Sequence, residues 1–403
     1  MDSTTTVDTQ NNLSVKLSQE SFYHSINLVS RAVAKHGIQP VLNNIYLKAT
    51  SSDKTLTIAA TDLSLSIVSK VLCSEILEDG EITIPAQKIL ELTGKLPKQE
   101  LDIKSLENGL IKVSCGRSKF DIKGLSSEQF PKDFLSLSTE ESKCFKLPTK
   151  LLAEATRLVS FASDKREVNS ILNGICLEIS QNGVEIAATD GSRLAYFKVS
   201  ETKFEEAVKV IIPFRAITEL SRTITGIEEE EIECFIHNSS QIEFKTSDKN
   251  LITSLIDGSY PKYQQLIPQN HNQKAVLNRA TFLAALDRVS VLANERTKVI
   301  KLLFEEIGIL NLSANTPDLG DAQDQMDISE YKGQDFSIAF NVNYMSECLK
   351  NLDCENVELT MSEPLNPIIL SPIFRDPDSD EPSSKAEYEY LYLLMPVQMK
   401  TGN

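Results

Sequence analysis

The sequence predicts an α+β protein made of three tandem copies of one domain, each with two helices packed on antiparallel sheets. Three observations predict this fold. Short motifs recur at a constant spacing, amphipathic helical patterns begin each copy, and apolar residues alternate with polar ones between the helices.

The repetition is clearest in the first two copies. Thr57–Asp62 reads TIAATD and Glu185–Asp190 reads EIAATD, while Ile84–Pro85 recurs as Ile212–Pro213, and both matches lie at an offset of 128 residues. Two unrelated matches at one offset indicate duplication. A fainter third copy carries LNLSAN at Leu310–Asn315.

The repeats divide the chain into three domains, at residues 13–135, 136–267 and 268–403. Two segments do not follow the repeated pattern. The N-terminal tail, residues 1–12, is polar, and an insertion at residues 375–386 (RDPDSDEPSSKA) is acidic with Pro and Ser. Such compositions predict mobile segments.

Each domain is predicted to begin with an amphipathic helix, since apolar residues recur at spacings of three and four. The predicted buried faces are Phe22, Ile26, Val29 and Val33; Leu151, Leu158 and Phe161; and Phe282, Leu286, Val289 and Leu292. A second, shorter helix with Pro in its first turn is predicted at 85–96 and at 213–224.

Apolar residues with period two predict strands that bury one face of a sheet. In the first domain these residues are Ile45 and Leu47; Leu56, Ile58 and Ala60; Leu63, Leu65 and Ile67; Ile111, Val113 and Cys115; and Phe120 and Ile122. The second domain repeats the pattern at Ile175, Leu177 and Ile179, and at Val184, Ile186 and Ala188.

The composition is that of a globular protein. Of the 403 residues, 41% are hydrophobic and 24% charged, and no apolar run approaches the length of a membrane span. The N-terminus lacks the pattern of a signal peptide, so we expect a cytoplasmic protein with no membrane association. Seven scattered cysteines without a CxxC pair are expected to be reduced core thiols and not metal ligands.

The charge is unevenly distributed. The net charge is -16, which by itself opposes binding to nucleic acid. However, Lys and Arg outnumber Asp and Glu by 19 to 9 in the predicted helical windows, against 22 to 48 elsewhere. The windows are 14–37, 85–98, 146–168, 213–226, 276–301 and 340–352. If these helices shared one face of an assembly, that face would attract a polyanion. The alternative is that Lys and Arg simply solvate exposed helix faces.

No catalytic residue is predicted. The sequence has no phosphate-binding GxxxxGK[ST], no HExxH or GxSxG, and no Cys or His pair at zinc spacing. Asp62 and Asp190 could hold a metal in a nuclease or phosphodiesterase, which is the rival hypothesis. Both follow strands at turns, where Asp commonly binds its own backbone, so a structural role is favoured. A ring-like scaffold that does not encircle DNA is a further alternative.

A series of motifs in order resembles a known family. They are ATD in the first two repeats, GRSKF (116–120), LNG (172–174), ATDGSRL (188–194), LIDGSYPKY (255–263), NER (294–296), FNVNY (340–344), CENV (354–357) and YLLMPVQM (392–399). From about residue 13 to 400 the chain resembles the bacterial DNA sliding clamp, the non-catalytic beta subunit of the DNA polymerase III holoenzyme. No single motif is specific, but nine in order are.

The resemblance implies a head-to-tail homodimer whose six clamp domains close a ring, with the strands outside and the helices lining a hole for duplex DNA. The ring would hold DNA through phosphates without reading bases. The implied residues of the DNA pore are Lys35, His36, Lys165, Arg166, Arg215 and Arg222. No cofactor is implied, and opening would need an external loader.

The resemblance also implies the two surfaces that meet when the ring closes. One lies on the first domain and joins cations to an aromatic residue, and the other lies on the third domain and joins carboxylates to aliphatic residues. The implied residues are Lys88, Arg117, Lys119 and Phe120 on the first, and Val291, Leu292, Asp318, Asp321 and Asp324 on the third.

A further implied surface is an apolar groove between the second and third domains that accepts an extended peptide from partner proteins. These partners are the catalytic subunit of DNA polymerase III, the clamp loader, and other clamp-binding polymerases and repair proteins. The implied residues are Leu172, Thr189, Gly191, Ser192, Arg193, Leu194, Pro261, Leu266, Asn341, Tyr344, Leu365, Leu393, Met395, Pro396 and Val397. From the pattern alone, residues 393–397 would be a buried last strand.

Overall fold

The structure is a computed structural model of the chain. It describes residues 12–34, 39–106, 109–138, 142–167, 170–200, 204, 206–268, 270–317, 319–374 and 388–398. Lys35, His36 and Asp318, the tail before residue 12 and the acidic insertion therefore lie outside the described residues.

Six α-helices occur in the described part of the chain. They are α1 Gln19–Val29, α2 Ala86–Thr93, α3 Thr149–Val159, α4 Phe214–Ile224, α5 Arg279–Ser290 and α6 Val342–Asn351. The first residues of α1, α3 and α5 are spaced by 130 residues, and those of α2, α4 and α6 by 128. The predicted repetition of two helices per copy is confirmed, including the faint third copy.

Twenty-six strands accompany the helices in the described residues. They are β1 Ser14–Ser18, β2 Asn44–Thr50, β3 Thr55–Thr61, β4 Leu65–Leu72, β5 Glu75–Glu78, β6 Gly80–Pro85, β7 Glu100–Ser105, β8 Leu110–Cys115, β9 Ser118–Lys123, β10 Lys143–Pro148, β11 Gly174–Ser180, β12 Gly183–Thr189, β13 Arg193–Val199, β14 Val208–Pro213, β15 Glu231–His237, β16 Gln241–Lys245, β17 Lys249–Ser254, β18 Gln273–Asn278, β19 Val299–Glu305, β20 Ile309–Thr316, β21 Gly320–Asp327, β22 Glu330–Lys332, β23 Phe336–Asn341, β24 Asn356–Met361, β25 Ile368–Ile373 and β26 Glu389–Leu394.

The chain forms two compact units. The first comprises the described residues up to Lys150 together with Glu219–Leu255, and the second comprises Leu151–Thr218 together with the described residues from Ile256 onward. The first unit contains a five-stranded sheet in the order β5-β1-β7-β8-β9 and an eight-stranded sheet in the order β10-β15-β16-β17-β4-β3-β2-β6. The second contains a nine-stranded sheet, β14-β11-β12-β13-β26-β25-β24-β18-β22, and a four-stranded sheet, β21-β20-β19-β23.

The two large sheets each join strands from successive repeats. Strand β17 of the second repeat pairs antiparallel with β4 of the first, and β26 of the third repeat pairs antiparallel with β13 of the second. The sequence pattern predicts strands but not these junctions, because period two says which face of a strand is buried and not which strand lies beside it.

The helices bury most of the faces that their periodicity predicts, but Leu151 of α3 and Leu292, beyond the end of α5, are only half-buried. Phe22, Ile26 and Val29 of α1 are fully buried, and the Ser18 side chain caps the helix by accepting a hydrogen bond from the Ser21 amide. Val33 lies beyond the end of α1 and is only half-buried, so its predicted place on the helix was wrong.

The shorter helices begin one residue later than predicted. Pro85 and Pro213 are the last residues of β6 and β14, and Pro85 occupies the cap position before α2. Proline is tolerated there because the first amides of a helix have no partner within it. In the third repeat, Asn341 replaces this proline, and its side chain accepts a hydrogen bond from the Asn343 amide.

Two residues predicted on the buried faces of strands are exposed: Phe120 lies on β9, and Leu63 lies outside the strands. Leu63 is 60% exposed and has a φ of 77°, because it lies in the turn before β4. The Asp62 carboxylate forms this turn by accepting hydrogen bonds from the amides of Ser64, at 3.1 Å, and Leu65, at 2.9 Å. Gly191 occupies the corresponding place in the second repeat, with a φ of 84°.

The prediction of core thiols was correct for five of the seven cysteines. All seven are free, but Cys144 is exposed and Cys354 is half-buried. Burial raises the pKa of the Cys73 thiol to about 11 and that of Cys176 to about 12. These two thiols therefore stay protonated at neutral pH.

Candidate functional site

The residues predicted for the groove all belong to the second unit, and their exposure divides them into a floor and a rim. Thr189, Arg193, Leu194 and Leu393 are buried and form the floor. The rim contains four large apolar side chains that remain exposed. These are Leu266 at 54%, Leu365 at 65%, Met395 at 42% and Val397 at 38%.

Strand pairing brings the floor together. Leu194 lies opposite Thr189 on β12 and opposite Leu393 on β26, so the three side chains come from adjacent strands of one sheet. Leu393 also lies opposite Ile369 of β25. The floor is therefore built across the junction of the second and third repeats.

Tyrosines beneath the floor were not predicted from the sequence. Tyr260, Tyr263 and Tyr196 pack in one apolar cluster with Leu194 and Leu393. The Thr189 amide donates a hydrogen bond of 3.1 Å to the Tyr260 hydroxyl. Burial raises the pKa of Tyr196, Tyr260 and Tyr263, so these phenols remain neutral. The LIDGSYPKY motif contained Tyr260 and Tyr263, but nothing in its spacing placed them under β13.

Arg193 is a buried cation at the centre of this region. Its side chain is 5% exposed, and its Nε lies 3.1 Å from the Asp190 Oδ2. Its guanidinium also contacts the Glu347 carboxylate, donates a hydrogen bond of 2.9 Å to the Phe161 carbonyl, and lies 4.2 Å from the centre of the Tyr344 ring. Arg193 thus connects the end of β12 to α6 of the third repeat.

The charge of Arg193 is stabilised by its neighbours. Burial alone would lower the pKa of Arg193, but Tyr392, Glu347 and Asp190 raise it above the usual value for arginine. Burial raises the pKa of Tyr344, and the nearby Asp190 carboxylate raises it further. The region therefore holds a permanent cation against a neutral aromatic ring.

The chain that follows β26 is held along the rim. The Met395 amide donates a hydrogen bond of 2.9 Å to the Ser192 carbonyl, and the Val397 amide donates one of 2.7 Å to the Ala339 carbonyl. Strand β26 ends at Leu394, so the prediction of a buried strand was correct up to that residue and wrong for 395–397. Met395 and Val397 expose their side chains because only their backbone groups are paired.

Most of the remaining residues predicted for the groove lie in the segments that connect the strands, whereas Asn341 ends β23 and Tyr344 lies in α6. Pro261 and Leu266 lie in the segment before β18, and Leu365 lies between β24 and β25. Leu172 is half-buried, and its carbonyl accepts a hydrogen bond of 2.9 Å from the Asp164 amide. Gly191 and Ser192 are exposed in the turn before β13, whereas Asn341, Tyr344 and Pro396 are half-buried.

Two of the strands that end a sheet, one in each unit, are further candidate surfaces. Strand β9 ends the five-stranded sheet and β21 ends the four-stranded sheet, and neither has a further strand partner among the described residues. An unpaired edge is a template for another strand. On β9, Arg117, Lys119 and Phe120 border or belong to the edge and are exposed.

The β21 edge is acidic and has an apolar neighbour. Asp321 is exposed, and Asp324 accepts a hydrogen bond of 2.6 Å from the Arg288 Nε of α5. Val291, just after α5, is 75% exposed, and Leu292 is half-buried. The Leu292 carbonyl accepts a hydrogen bond of 2.7 Å from the Thr316 hydroxyl, which holds the end of α5 against β20.

The predicted pore cations have different local partners. Arg166 is 75% exposed and forms two hydrogen bonds to Asp164, which raise the pKa of Arg166 and lower that of Asp164. Lys165 lies 5.3 Å from the centre of the Phe214 ring, beside the exposed Arg215.

In the first unit, Arg222 is half-exposed and its Nη1 lies 2.6 Å from the Glu219 Oε1. Two cations that contributed to the helical charge excess have structural roles instead. Arg157 donates to the Asn351 carbonyl, and Arg279 donates to the carbonyls of Cys354 and Leu349. The charge available to a ligand is therefore smaller than the sequence count.

Comparison with protein families gives three consecutive matches to the DNA polymerase III beta subunit. Its N-terminal domain matches residues 13–135, its central domain residues 146–262, and its C-terminal domain residues 264–380. Together they cover most of the chain.

The chain belongs to the bacterial sliding-clamp family.

Similar clamps support this assignment. Proteins named "Beta sliding clamp" from Synechococcus elongatus and Pseudomonas putida are 32% and 30% identical to the chain, and each alignment covers 95% of it and at least 98% of the relative. The sliding clamp of Pseudomonas aeruginosa bound to griselimycin superposes with a TM-score of 0.86, and that of Bacillus subtilis with 0.85. Each is 26% identical and covers 96% of this chain and 100% of the other.

Membership in the clamp family confirms the predicted fold of three clamp domains and the predicted class of function. The family comprises non-catalytic processivity factors for DNA replication, so the prediction of a protein without a catalytic role is confirmed in the same way. No helix in the described segments of this clamp is long and apolar enough to cross a membrane.

The two carboxylates considered for a nuclease have structural roles in this clamp. Asp62 binds the amides of its own turn, and Asp190 accepts hydrogen bonds from the amides of Ser192, at 2.9 Å, and Arg193, at 3.2 Å. In the described parts of the chain, no three His, Cys, Asp or Glu side chains are grouped to hold a metal.

Proposed function

We propose that two copies of this clamp close head to tail into a ring of six domains around duplex DNA and so hold the replicative polymerase on its template. The observation that carries the proposal is that the two open edges, β9 and β21, match the strands that already pair where one repeat meets the next. The third junction of the ring would then form between β9 of one copy and β21 of the other.

The equivalence begins at the helices. Val15, Phe145 and Ala275 each lie four residues before the first residue of α1, α3 and α5. Their cross-strand neighbours, on β7, β15 and β24, are Ile103, Cys234 and Leu359. The three strands are therefore equivalent, and the residues opposite them in each sheet can be compared row by row.

The row across the first junction contains Cys234, Phe244, Leu251, Ile67 and Ala60. The row across the second contains Leu359, Leu370, Tyr392, Ala195 and Ala188. The open edges supply Ile103, Val113 and Phe120 on one side and Ala322 and Ala314 on the other. Ala314 is equivalent to Ala60 and Ala188, because each lies two residues after the buried residue that faces the preceding strand, Leu312, Ile58 and Ile186. This comparison predicts that Phe120 lies opposite Ala322 of the partner subunit.

The predicted register brings complementary groups together. Phe120 would pack near Val291 and Leu292, and Lys119 would lie diagonally across from Asp321 of the partner subunit. Arg117, in the turn before β9, would add a cation near the partner's Asp324 at the end of the overlap. Lys88 is exposed on α2 and would add a cation. Asp318 lies outside the described residues, so its proposed role in the interface rests only on the resemblance.

We propose that the helices face the DNA and that Lys165, Arg166, Arg215 and Arg222 contact phosphates. Exposed cations on an otherwise acidic protein would concentrate the attraction at that face, since the net charge of -16 repels DNA elsewhere. Lys35 and His36 would contribute from outside the described residues. Mobile contacts to phosphates and water leave the ring free to slide, because no base edge is bound.

We propose that the exposed rim over Leu194 and Leu393 binds an extended, largely apolar peptide. Four exposed apolar side chains around a buried apolar floor support this, and the flexible Met395 suits a site used by several partners in turn. The proposed partners are the catalytic subunit of DNA polymerase III, the clamp loader, and other clamp-binding polymerases and repair proteins. The proposed location is the cytoplasm, in association with the nucleoid.

The test is retention on a nicked circular plasmid after loading with the cognate ATP-driven loader. Gel filtration before and after a single cut measures the protein that remains on the DNA. We expect retention on the circle and loss after the cut, because only a closed ring is held by topology. A Phe120→Asp variant should not be retained on the circle or on the cut plasmid. Ile307→Asp alters an exposed residue away from the proposed interface and should behave like the wild type.

Three other results would contradict the proposal. Equal retention on circular and linear plasmid would mean direct binding and no encirclement. Peptide binding without any retention on the circle would favour a scaffold that does not encircle DNA. Cleavage of the plasmid that depends on a divalent metal would favour the nuclease hypothesis.

A further inference from the structure

We propose that Asp121 and Asp321 of the partner subunit lie directly opposite each other where the ring closes, and that Asp121 weakens this junction. The inference rests on the proposed ring and extends it to a property of this chain's own residues. It concerns how tightly the ring is closed, which determines how readily a loader opens it.

The placement of Asp121 opposite the partner's Asp321 follows from the two junctions within the chain. Ile252 of β17 lies opposite Ser66 of β4, one step from the pair Leu251 and Ile67. In the same position, Leu393 of β26 lies opposite Leu194. Asp121 follows Phe120 as Ile252 follows Leu251, and Asp321 precedes Ala322 as Ser66 precedes Ile67. The third junction therefore has two carboxylates where the other two have at most one polar group.

Each carboxylate lies opposite a polar residue of the neighbouring strand in its own sheet. Asp121 is exposed on β9 and lies opposite Lys112 on β8. Asp321 is exposed on β21, lies opposite Asn315 on β20, and accepts a hydrogen bond from the Asn315 amide group. Asn315 therefore holds the Asp321 carboxylate at the strand edge.

Charges around the pair act on the two carboxylates differently. Lys119 and Lys123 lie two residues before and after Asp121, on the same face of β9, and would lie diagonally across from the partner's Asp321. Asp321 therefore gains attraction when the ring closes. Asp121 lies opposite Lys112 both before and after closure, so the attraction to Lys112 does not change when the ring closes. Only the repulsion from the partner's Asp321 is new.

The size of the effect follows from the geometry of a strand pair. Directly opposed like charges on neighbouring strands weaken pairing by about threefold in equilibrium constant. Because a ring of two copies has two such junctions, removing the charge of Asp121 should tighten dimerisation by about tenfold. The effect should disappear at about 1 M salt, where the screening length is about 3 Å.

The experiment compares the dimer dissociation constants of Asp121→Asn, the wild type and Asp327→Asn in the full chain. Asp327 is exposed at the far end of β21, beyond the predicted overlap with β9, and is the matched control. We expect about tenfold tighter dimers for Asp121→Asn at low salt, no change for Asp327→Asn, and an Asp121→Lys variant at least as tight as Asp121→Asn.

A cysteine pair tests the register independently of affinity. In a chain with the exposed Cys144 replaced by Ser, Lys119→Cys with Gln323→Cys should form a disulfide between subunits, because directly opposed residues meet the distance that the bond requires. Lys119→Cys with Gln325→Cys, two residues out of register, should cross-link far less.

The outcomes separate this inference from the proposed ring. A dimer in which Asp121→Asn has no effect, or weakens association, would overturn the opposed pair and leave the ring intact. Cross-linking that favours position 325 over position 323 would do the same. A wild-type chain that remains monomeric at all concentrations would overturn the proposed ring itself.

Discussion

Replacing the buried Arg193 by methionine should cost the second unit about 3–5 kcal/mol, because it breaks a buried charge network. Methionine preserves most of the volume, so the change removes charge and hydrogen bonds more than packing. The Asp190 carboxylate would keep its hydrogen bonds from the amides of Ser192 and residue 193 but would lose its cation.

The individual contacts support this magnitude. The hydrogen bond from Arg193 to the Phe161 carbonyl is buried and charged, which contributes about 1.5–3 kcal/mol. The guanidinium over the Tyr344 ring, at 4.2 Å, adds up to about 2 kcal/mol in a desolvated site. The contact with Glu347 contributes less, because that carboxylate is 44% exposed and water can replace the partner.

The assay is hydrogen exchange of the amides in β12 and β13, which reports the free energy of local opening without requiring two-state unfolding of the whole chain. Arg166→Met is the matched control, since Arg166 also pairs with a neighbouring Asp but is 75% exposed, and its loss should cost less than about 1 kcal/mol. A labelled peptide that binds the rim should also lose affinity for the Arg193 variant, because Tyr344 is no longer held. Equal and small effects for the two variants would refute the argument.

Three further predictions concern other parts of the chain. Glu81→Gln should destabilise the first unit by about 1–3 kcal/mol, since Glu81 accepts hydrogen bonds from Ser127, Tyr46 and Lys132. Burial opposes ionisation of Glu81, but these partners lower its pKa below 4.5. The stability that the ionised Glu81 contributes should therefore be present at neutral pH and be lost as the pH falls through the lowered pKa. Lys165→Ala and Arg215→Ala should each reduce the salt dependence of DNA affinity by about one counterion, measured by titration at several salt concentrations. Leu63→Gly should raise the free energy of unfolding by about 1 kcal/mol because it relieves a left-handed residue, and Gly191→Leu should lower it by about as much. Both changes are measured as shifts of the urea midpoint.

Much of the fold was predictable because the information is local and repeated. The ATD turn, the helical face of Phe22, Ile26 and Val29, and the alternation along the strands depend on residues close together in sequence. Leu63 was misplaced because alternation alone could not distinguish a strand residue from a turn that Asp62 forms with the backbone.

The groove was predicted from a resemblance and not from the residue pattern. The resemblance named Arg193 and Leu393, but only the structure shows that Arg193 is buried against Tyr344 and that Leu393 lies beside Leu194. Nothing in the local pattern specifies that β13 and β26, which are far apart in the sequence, are neighbours. That pairing depends on tertiary packing, which period-two patterning leaves open.

The sequence by itself determined the three repeats, the two helices in each, the excess of cations on those helices and the absence of the common catalytic motifs. The tertiary structure decided which strands join successive repeats, which helical cations are used within the protein, and that β9 and β21 lie at sheet edges. The physical reason is that propensity and periodicity act over a few residues, whereas sheet junctions and buried charges depend on groups brought together only by folding.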